Sequence, residues 1–227
     1  VTAHDVARAL PGVEELREHC RGLAMLDAVL SPEWDARFHS YDARWDVGRG
    51  EQMASMRDGM GSDYAIVFSA AGAYVRGFDH ESLMSPWARM DVPVVWPGVL
   101  DDVPEVFRPY VTEPAFCAPD GVPVVTCCLW RRTDADPAWR TGRSIGFPTE
   151  GDGDPDGAEV LFELLVDRSP EAYARWASEY YETPVDVAAV RHVLAGLPLT
   201  PEVAAVLNPD LPFTGLADDL EEIGYPF

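Results

Sequence analysis

The chain contains no lysine. Its 17 basic residues are all arginine, and they face 39 Asp and Glu, leaving a formal net charge of -22. Without Lys the phosphate-cradling pattern G-x-x-x-x-G-K-[ST] cannot be present, and no G-x-G-x-x-G follows a strand, so nucleotide cofactors find no support. The shortage of positive charge argues against nucleic acid, whose phosphates need a basic footprint, and against an anionic membrane surface. Cysteine is scarce as well. Cys20, Cys117, Cys127 and Cys128 are too few and too badly spaced for a disulfide framework, and an adjacent pair points to opposite faces of a strand. The five histidines make no His-x-x-x-His pair of the kind metals favour. Long apolar runs are missing too: nothing approaches the roughly 20 residues of a membrane span. Asp5, Glu14, Glu15 and Glu18 lie in the first thirty residues, where a secretory leader would be apolar. These absences predict a reduced, cytoplasmic protein that engages neither nucleic acid nor membrane.

What the chain does have is core material. It is 227 residues long and 47% apolar, with 11% aromatic residues, enough to exclude whole-chain disorder and to predict a single domain over residues 1–227. Abundant Ala, Arg, Gly, Pro, Asp and Val beside absent Lys is the composition that a GC-rich genome imposes. The acidity is uneven along the chain. Residues 1–144 carry 22 acids and 14 arginines, net -8, whereas residues 145–227 carry 17 acids and 3 arginines, net -14.

The periodicities change at about the same place. Val13, Leu16, Cys20, Leu23 and Leu30 recur at helical spacing and predict one amphipathic helix. In 41–47 the period switches to two, with Tyr41, Ala43, Trp45 and Val47 on one face and Asp42, Arg44 and Asp46 on the other, as a half-buried strand requires. Residues 51–57 can pair with it across the Gly48–Gly50 turn. Tyr64–Ser69 and Ala73–Phe78 read as a hairpin, Val124–Trp130 as a strand, and Ser144–Phe147 as a short one. A short helix is expected near Val103–Phe107. Later, Ser169-Pro170-Glu171 and Thr200-Pro201-Glu202 each combine an N-cap, an N1 proline and a first-turn acid, and Val187, Val190 and Leu194 mark a helix between them. Tyr173, Trp176 and Tyr180 form an aromatic stripe expected in the core. The predicted fold is α+β: an N-terminal helix, an antiparallel sheet, then a helical region packed on it, with 1–150 mainly sheet and 151–227 mainly helical.

Three motifs carry possible chemistry. Asp79-His80-Glu81-Ser82 gathers an acid, a base and a hydroxyl after a strand; were the chain an enzyme, Asp79, His80 and Glu81 would be its candidates. In an extended conformation Asp79 and Glu81 would face away from His80, so a His–acid relay would need a partner from elsewhere. Asp152, Asp154, Asp156 and Glu163 fit the spacing D-x-D-x-D-G-x5-E of a calcium loop, which supplies three carboxylates, a turning glycine and a closing bidentate Glu. Glycines and Pro148 deny that loop an entering helix, and an acidic turn at a helix start explains the same residues. Ca2+ is therefore the alternative to having no cofactor. Gly142-Arg143-Ser144-Ile145-Gly146 matches the nucleophile elbow G-x-S-x-G, but no buried strand enters it and no helix leaves it.

Four stretches, Gly77-Phe78-Asp79-His80-Glu81-Ser82, Trp96-Pro97-Gly98-Val99-Leu100, Glu179-Tyr180-Tyr181-Glu182 and Glu221-Glu222-Ile223-Gly224-Tyr225-Pro226, resemble a family of uncharacterised bacterial proteins. The resemblance supports one domain and assigns no catalytic residue. In size and acidity the chain is also similar to the immunity proteins of bacterial toxin systems, though it lacks their motif. The leading expectation is a non-enzymatic interaction protein that presents an acidic C-terminal face, including Asp218, Asp219, Glu221 and Glu222, to a basic protein partner. The alternatives are a hydrolase-like enzyme around Asp79, His80 and Glu81 and a calcium-binding module. The oligomeric state is left open by the sequence.

Overall fold

The computed structural model describes residues 1–88, 92–149 and 153–227. In chain order the first half contains α1 (Ala3–Ala9), α2 (Val13–Leu30), β1 (His39–Asp46), β2 (Glu51–Arg57), β3 (Asp63–Ser69), β4 (Gly72–Phe78) and α3 (Arg108–Val111). There follow β5 (Cys127–Arg132), β6 (Arg140–Thr141), α4 (Ala158–Leu161), α5 (Glu163–Val166), α6 (Pro170–Tyr180), α7 (Val187–Leu194), α8 (Pro201–Leu207) and α9 (Ala217–Ile223). The fold is α+β, with an N-terminal helix, antiparallel strands and a helical C-terminal region. It divides into two compact units that interleave in sequence: Val1–Val13 with Met60–Glu163, and Glu14–Gly59 with Leu164–Phe227.

In the first unit the expected hairpin forms, with β3 and β4 paired from Asp63↔Phe78 to Ser69↔Gly72. Gly72 has φ of +134°, and a Cβ there would stand 2.0 Å from the Arg131 carbonyl oxygen, so both the turn and the neighbouring strand demand glycine. Strand β4 is buried along its whole length; β5 flanks it, and β6 adds the short pairing Leu129↔Thr141 and Trp130↔Arg140. Helix α4 lies against β4 at Gly77, where a Cβ would meet Cys127, Phe162 and Leu161 within 3.0 Å. Tyr64, Ile66, Val75, Phe107, Leu129 and Phe162 fill this core.

Two local expectations are corrected here. The short strand after residue 139 is Arg140–Thr141, not Ser144–Phe147. Gly142 packs so closely on the Gly98 carbonyl that a Cβ would sit 1.9 Å from its oxygen, which turns the chain away from β5 and leaves Ser144 in an exposed turn. The segment around Val103–Phe107 begins as a 3-10 turn at Glu105–Phe107, and its α-helical part is Arg108–Val111. Helix α1, closed by a capping box between Thr2 and Asp5, escaped the sequence reading because seven residues are too few to show a helical period.

In the second unit α2 buries Leu16, Cys20, Leu23, Met25, Leu26 and Val29. Gly22 lets α7 approach closely: a Cβ there would lie 3.1 Å from Leu194 Cδ2. β1 and β2 pair from His39↔Met56 to Asp46↔Glu51, with an irregularity between Asp42 and Asp46. The alternation read in 41–47 fades across that irregularity, so Tyr41 is buried whereas Val47 is exposed. The later helices start where the caps place them. The Ser169 side chain accepts from the Ala172 N–H and that of Thr200 from the Val203 N–H. Along α6 the aromatic stripe grades outward: Tyr173 is buried, Trp176 half-buried and Tyr180 exposed at its edge, where the rings of Trp176 and Tyr180 stack. At the C-terminus α9 packs on β1, and the Tyr225 hydroxyl donates to the carbonyls of Val193 and Leu197.

Candidate functional site

The register of the β3–β4 hairpin determines what surrounds Asp79 and His80. Because Asp63 pairs with Phe78, the residue before β3 and those after β4 emerge at the same end of the sheet. Ser62 Oγ thus lies 2.9 Å from His80 Nδ1 and 3.4 Å from Asp79 Oδ1, and it also accepts the His80 main-chain N–H at 3.3 Å. The 79–82 segment is a turn and not an extended strand end: the Glu81 N–H donates to Asp79 Oδ1 and the Ser82 N–H to the Asp79 carbonyl. Gly157, with φ of +73°, closes over this turn so tightly that a Cβ would lie 2.2 Å from Asp79 Cβ.

Ser62 is therefore the hub, with Asp79 and His80 both on its hydroxyl. A proton on His80 Nδ1 suits these three contacts if Ser62 turns its own proton toward Asp79. This differs from a Ser–His–acid relay, in which the histidine stands between the other two. His80 and Glu81 are exposed, Ser62 is buried, and Glu81 contributes its N–H to the cluster.

In the acidic loop, Asp152 lies outside the described residues. Asp154 accepts the N–H groups of Glu159 and Val160, at the start of α4. Asp156 is fully buried; its Oδ2 accepts the Ala3 N–H at 2.9 Å and its Oδ1 the Ala158 N–H at 3.3 Å. Burial pushes the Asp156 carboxyl up to about 6, only partly offset by those two N–H donors. Glu163 is exposed at the first position of α5. Among the described residues no three His, Cys, Asp or Glu side chains gather as a metal site would require.

Ser144 borders an apolar cavity of about 480 Å³ formed with Ser85, Pro86, Val94, Trp96 and Pro97. It follows β6 through a glycine turn, and the described residues 145–149 directly after it form no helix.

A third cluster went unread in the sequence. Asp27, fully buried in α2, takes the His39 main-chain N–H at 2.6 Å and His39 Nδ1 at 2.9 Å on Oδ2, and the Tyr173 hydroxyl on Oδ1. Rings of Phe38 and Trp176 stand edge-on to His39, at 4.9 and 5.2 Å between centroids. Burial, then the neighbouring Asp27, pushes the Tyr173 phenol well above its ordinary range. The signal was present: Asp27 is the one acid inside the apolar run 23–30, and a lone acid on a buried helix face must find donors.

The C-terminal acids are distributed differently from the sequence picture. Asp219 forms a two-pronged ion pair with Arg37, and Glu221 meets Arg44 at 2.9 Å. The second unit joins residues 14–59, net -4, to residues 164–227, net -8, while the six acids of residues 145–163 belong to the first unit, so the two units carry net charges of -10 for the first and -12 for the second. Asp218 and Glu222 remain on the exposed side of α9. The Glu222 carboxyl is raised by partial burial and by the charges of Asp42 and Asp219.

No helix among the described residues is long and apolar enough to cross a membrane. No protein-family model, curated protein or solved structure matches the chain.

Proposed function

We propose that this protein works by binding a basic protein partner on the acidic surface formed by α9 and the facing strand β1. The observation that carries this reading is the gathering of Asp42, Asp219 and Glu222 in one patch with Arg37 and Arg44; partial burial, and then the charges of Asp42 and Asp219, raise the Glu222 carboxyl. Like charges held together are unfavourable for the isolated protein, and a cationic partner relieves the repulsion. Such complementarity speeds encounter and rejects acidic competitors.

Protamine serves as a defined basic probe, titrated calorimetrically between 20 and 300 mM NaCl. Saturable binding that weakens with salt, and weakens about tenfold or more in a Asp42→Asn/Asp218→Asn/Glu222→Gln variant, supports the surface assigned here. Equal affinity of the variant and the parent chain overturns it.

A second reading rests on the contact between Ser62 and His80, a hydroxyl on a ring nitrogen beside Asp79. It makes the turn a hydrolase-like site in the other tautomer, with the proton on Nε2, in which His80 Nδ1 is the base and Ser62 the nucleophile. Turnover of p-nitrophenyl acetate that survives in both Ser62→Ala and His80→Ala removes this reading.

A further inference from the structure

The arginines of the first unit are not spread over its surface. Of its eight, Arg8, Arg132, Arg140 and Arg143 line one groove of about 640 Å³. The β5–β6 register builds it: Trp130↔Arg140 places Arg140 beside the end of β5, where Arg132 follows two residues later, and the chain leaving β6 supplies Arg143. Helix α1 adds His4 and Arg8 on another wall, and buried Trp130 and Trp139 give the groove an aromatic floor.

The carboxylates present do not balance these guanidinium groups. Asp136 spends both oxygens on Arg132, accepting its main-chain N–H, Nε and terminal nitrogen at 3.0–3.2 Å, so Arg140 reaches it only at 3.8 Å. Asp102 is occupied in the same way by Arg143, through its main-chain N–H, Nε and terminal nitrogen. Asp5, which pairs with Arg8, already accepts the N–H and hydroxyl of Thr2 on its other oxygen. Four positive groups thus share two lining carboxylates and one at the rim, and Arg8 and Arg140 retain most of their donors.

We infer that this groove is a binding site for a small organic dianion, gripped by Arg8 and Arg140, with its apolar body against Trp130 and Trp139. Two guanidinium forks match either a phosphate monoester or a pair of carboxylates, since both offer oxygen pairs in the plane that Arg recognises. The aromatic floor and the groove volume are those of a small-molecule site. The net charge of -22 does not forbid an anionic ligand. At 0.15 M ionic strength fields decay over about 8 Å, so the arginines at the wall dominate what a bound anion feels.

Intrinsic tryptophan fluorescence, with calorimetry beside it, tests the site on the full chain with phenyl phosphate and with phthalate. Sodium chloride at matched ionic strength is the control. The expected result is saturable binding of one or both, with phenyl phosphate alone identifying a phosphate site and phthalate alone a dicarboxylate site. Affinity should fall about tenfold or more in Arg140→Ala and in Arg8→Ala. Arg140→Lys, which keeps the charge and loses the fork, should fall between parent and Arg140→Ala. Arg49→Ala, in the other unit, should bind as the parent does. Both groove arginines are exposed, so melting temperatures near that of the parent will show that the variants fold. Binding of neither probe, or equal binding by parent, Arg8→Ala and Arg140→Ala, overturns the inference.

Discussion

Asp27 and His39 are joined twice: one carboxyl oxygen in the last turn of α2 receives both the main-chain N–H and the ring Nδ1 of the first residue of β1. The other oxygen receives the Tyr173 hydroxyl from α6. A single buried side chain thereby ties together three elements that are distant in sequence.

Removing that side chain should cost far more than removing any one donor. Asp27→Ala leaves the His39 N–H, the His39 ring and the Tyr173 hydroxyl without their acceptor in a dry interior, and is expected to lower stability by about 3 kcal/mol or more. Tyr173→Phe deletes one donor and leaves Asp27 with two, for about 1 kcal/mol. Urea unfolding followed by circular dichroism measures both; near-equal losses would mean that Asp27 is no hub.

His19 sets an acid limit on the second unit. Burial lowers it from an ordinary value of about 6.5 to about 4, with the Leu164 carbonyl offsetting part of the shift and Arg168 adding to it. The folded state therefore holds a neutral ring while the unfolded chain takes up a proton. Stability should fall as pH drops from 6.5 to 4, by about 3 kcal/mol in all, and stop changing from this cause below that. His19→Gln can still donate to the Leu164 carbonyl, and its urea midpoint should lose this slope.

Asp156 acts with the opposite sign in the first unit. Its folded carboxyl titrates at about 6, above the ordinary 3.8. The unfolded chain ionises first as pH rises, so the contribution to stability is fully present below 3.8 and is lost as pH climbs through 6. It amounts to about 3 kcal/mol. In the His19→Gln background, stability should consequently rise between pH 7 and pH 5. A flat profile there would contradict the burial assigned to Asp156.

Gly157 holds the Asp79 turn in place. Gly157→Ala must accommodate both a positive φ and a Cβ 2.2 Å from Asp79, and is expected to cost about 2 kcal/mol or more and to shift the His80 ring resonances in NMR. Gly196→Ala, with φ of +68° and open space around it, carries the backbone strain alone and should cost about 1 kcal/mol. Equal costs for the two would mean that the loop does not press on Asp79.

The sequence alone was sufficient for the features that strong local signals decide within a few residues. Ser169-Pro170 and Thr200-Pro201 start helices because cap, proline and first-turn acid act on the nearest N–H groups. The β3–β4 hairpin forms because two β-rich runs meet at the turn that Gly72 closes. The α+β class follows from strands preceding helices. Tertiary structure decided what those elements bring together. Ser62 reaches His80 through strand register, and Asp27 reaches His39 and Tyr173 through packing across twelve and 146 positions. Arg8 joins Arg140 because α1 returns to β6. The charge shows the difference most plainly: the stretch 145–227, which reads as net -14, is divided between the two units, and these end nearly equal at -10 and -12. Local chemistry acts over one turn of chain, whereas ion pairs and buried donors are matched only by elements that sequence separates and folding joins.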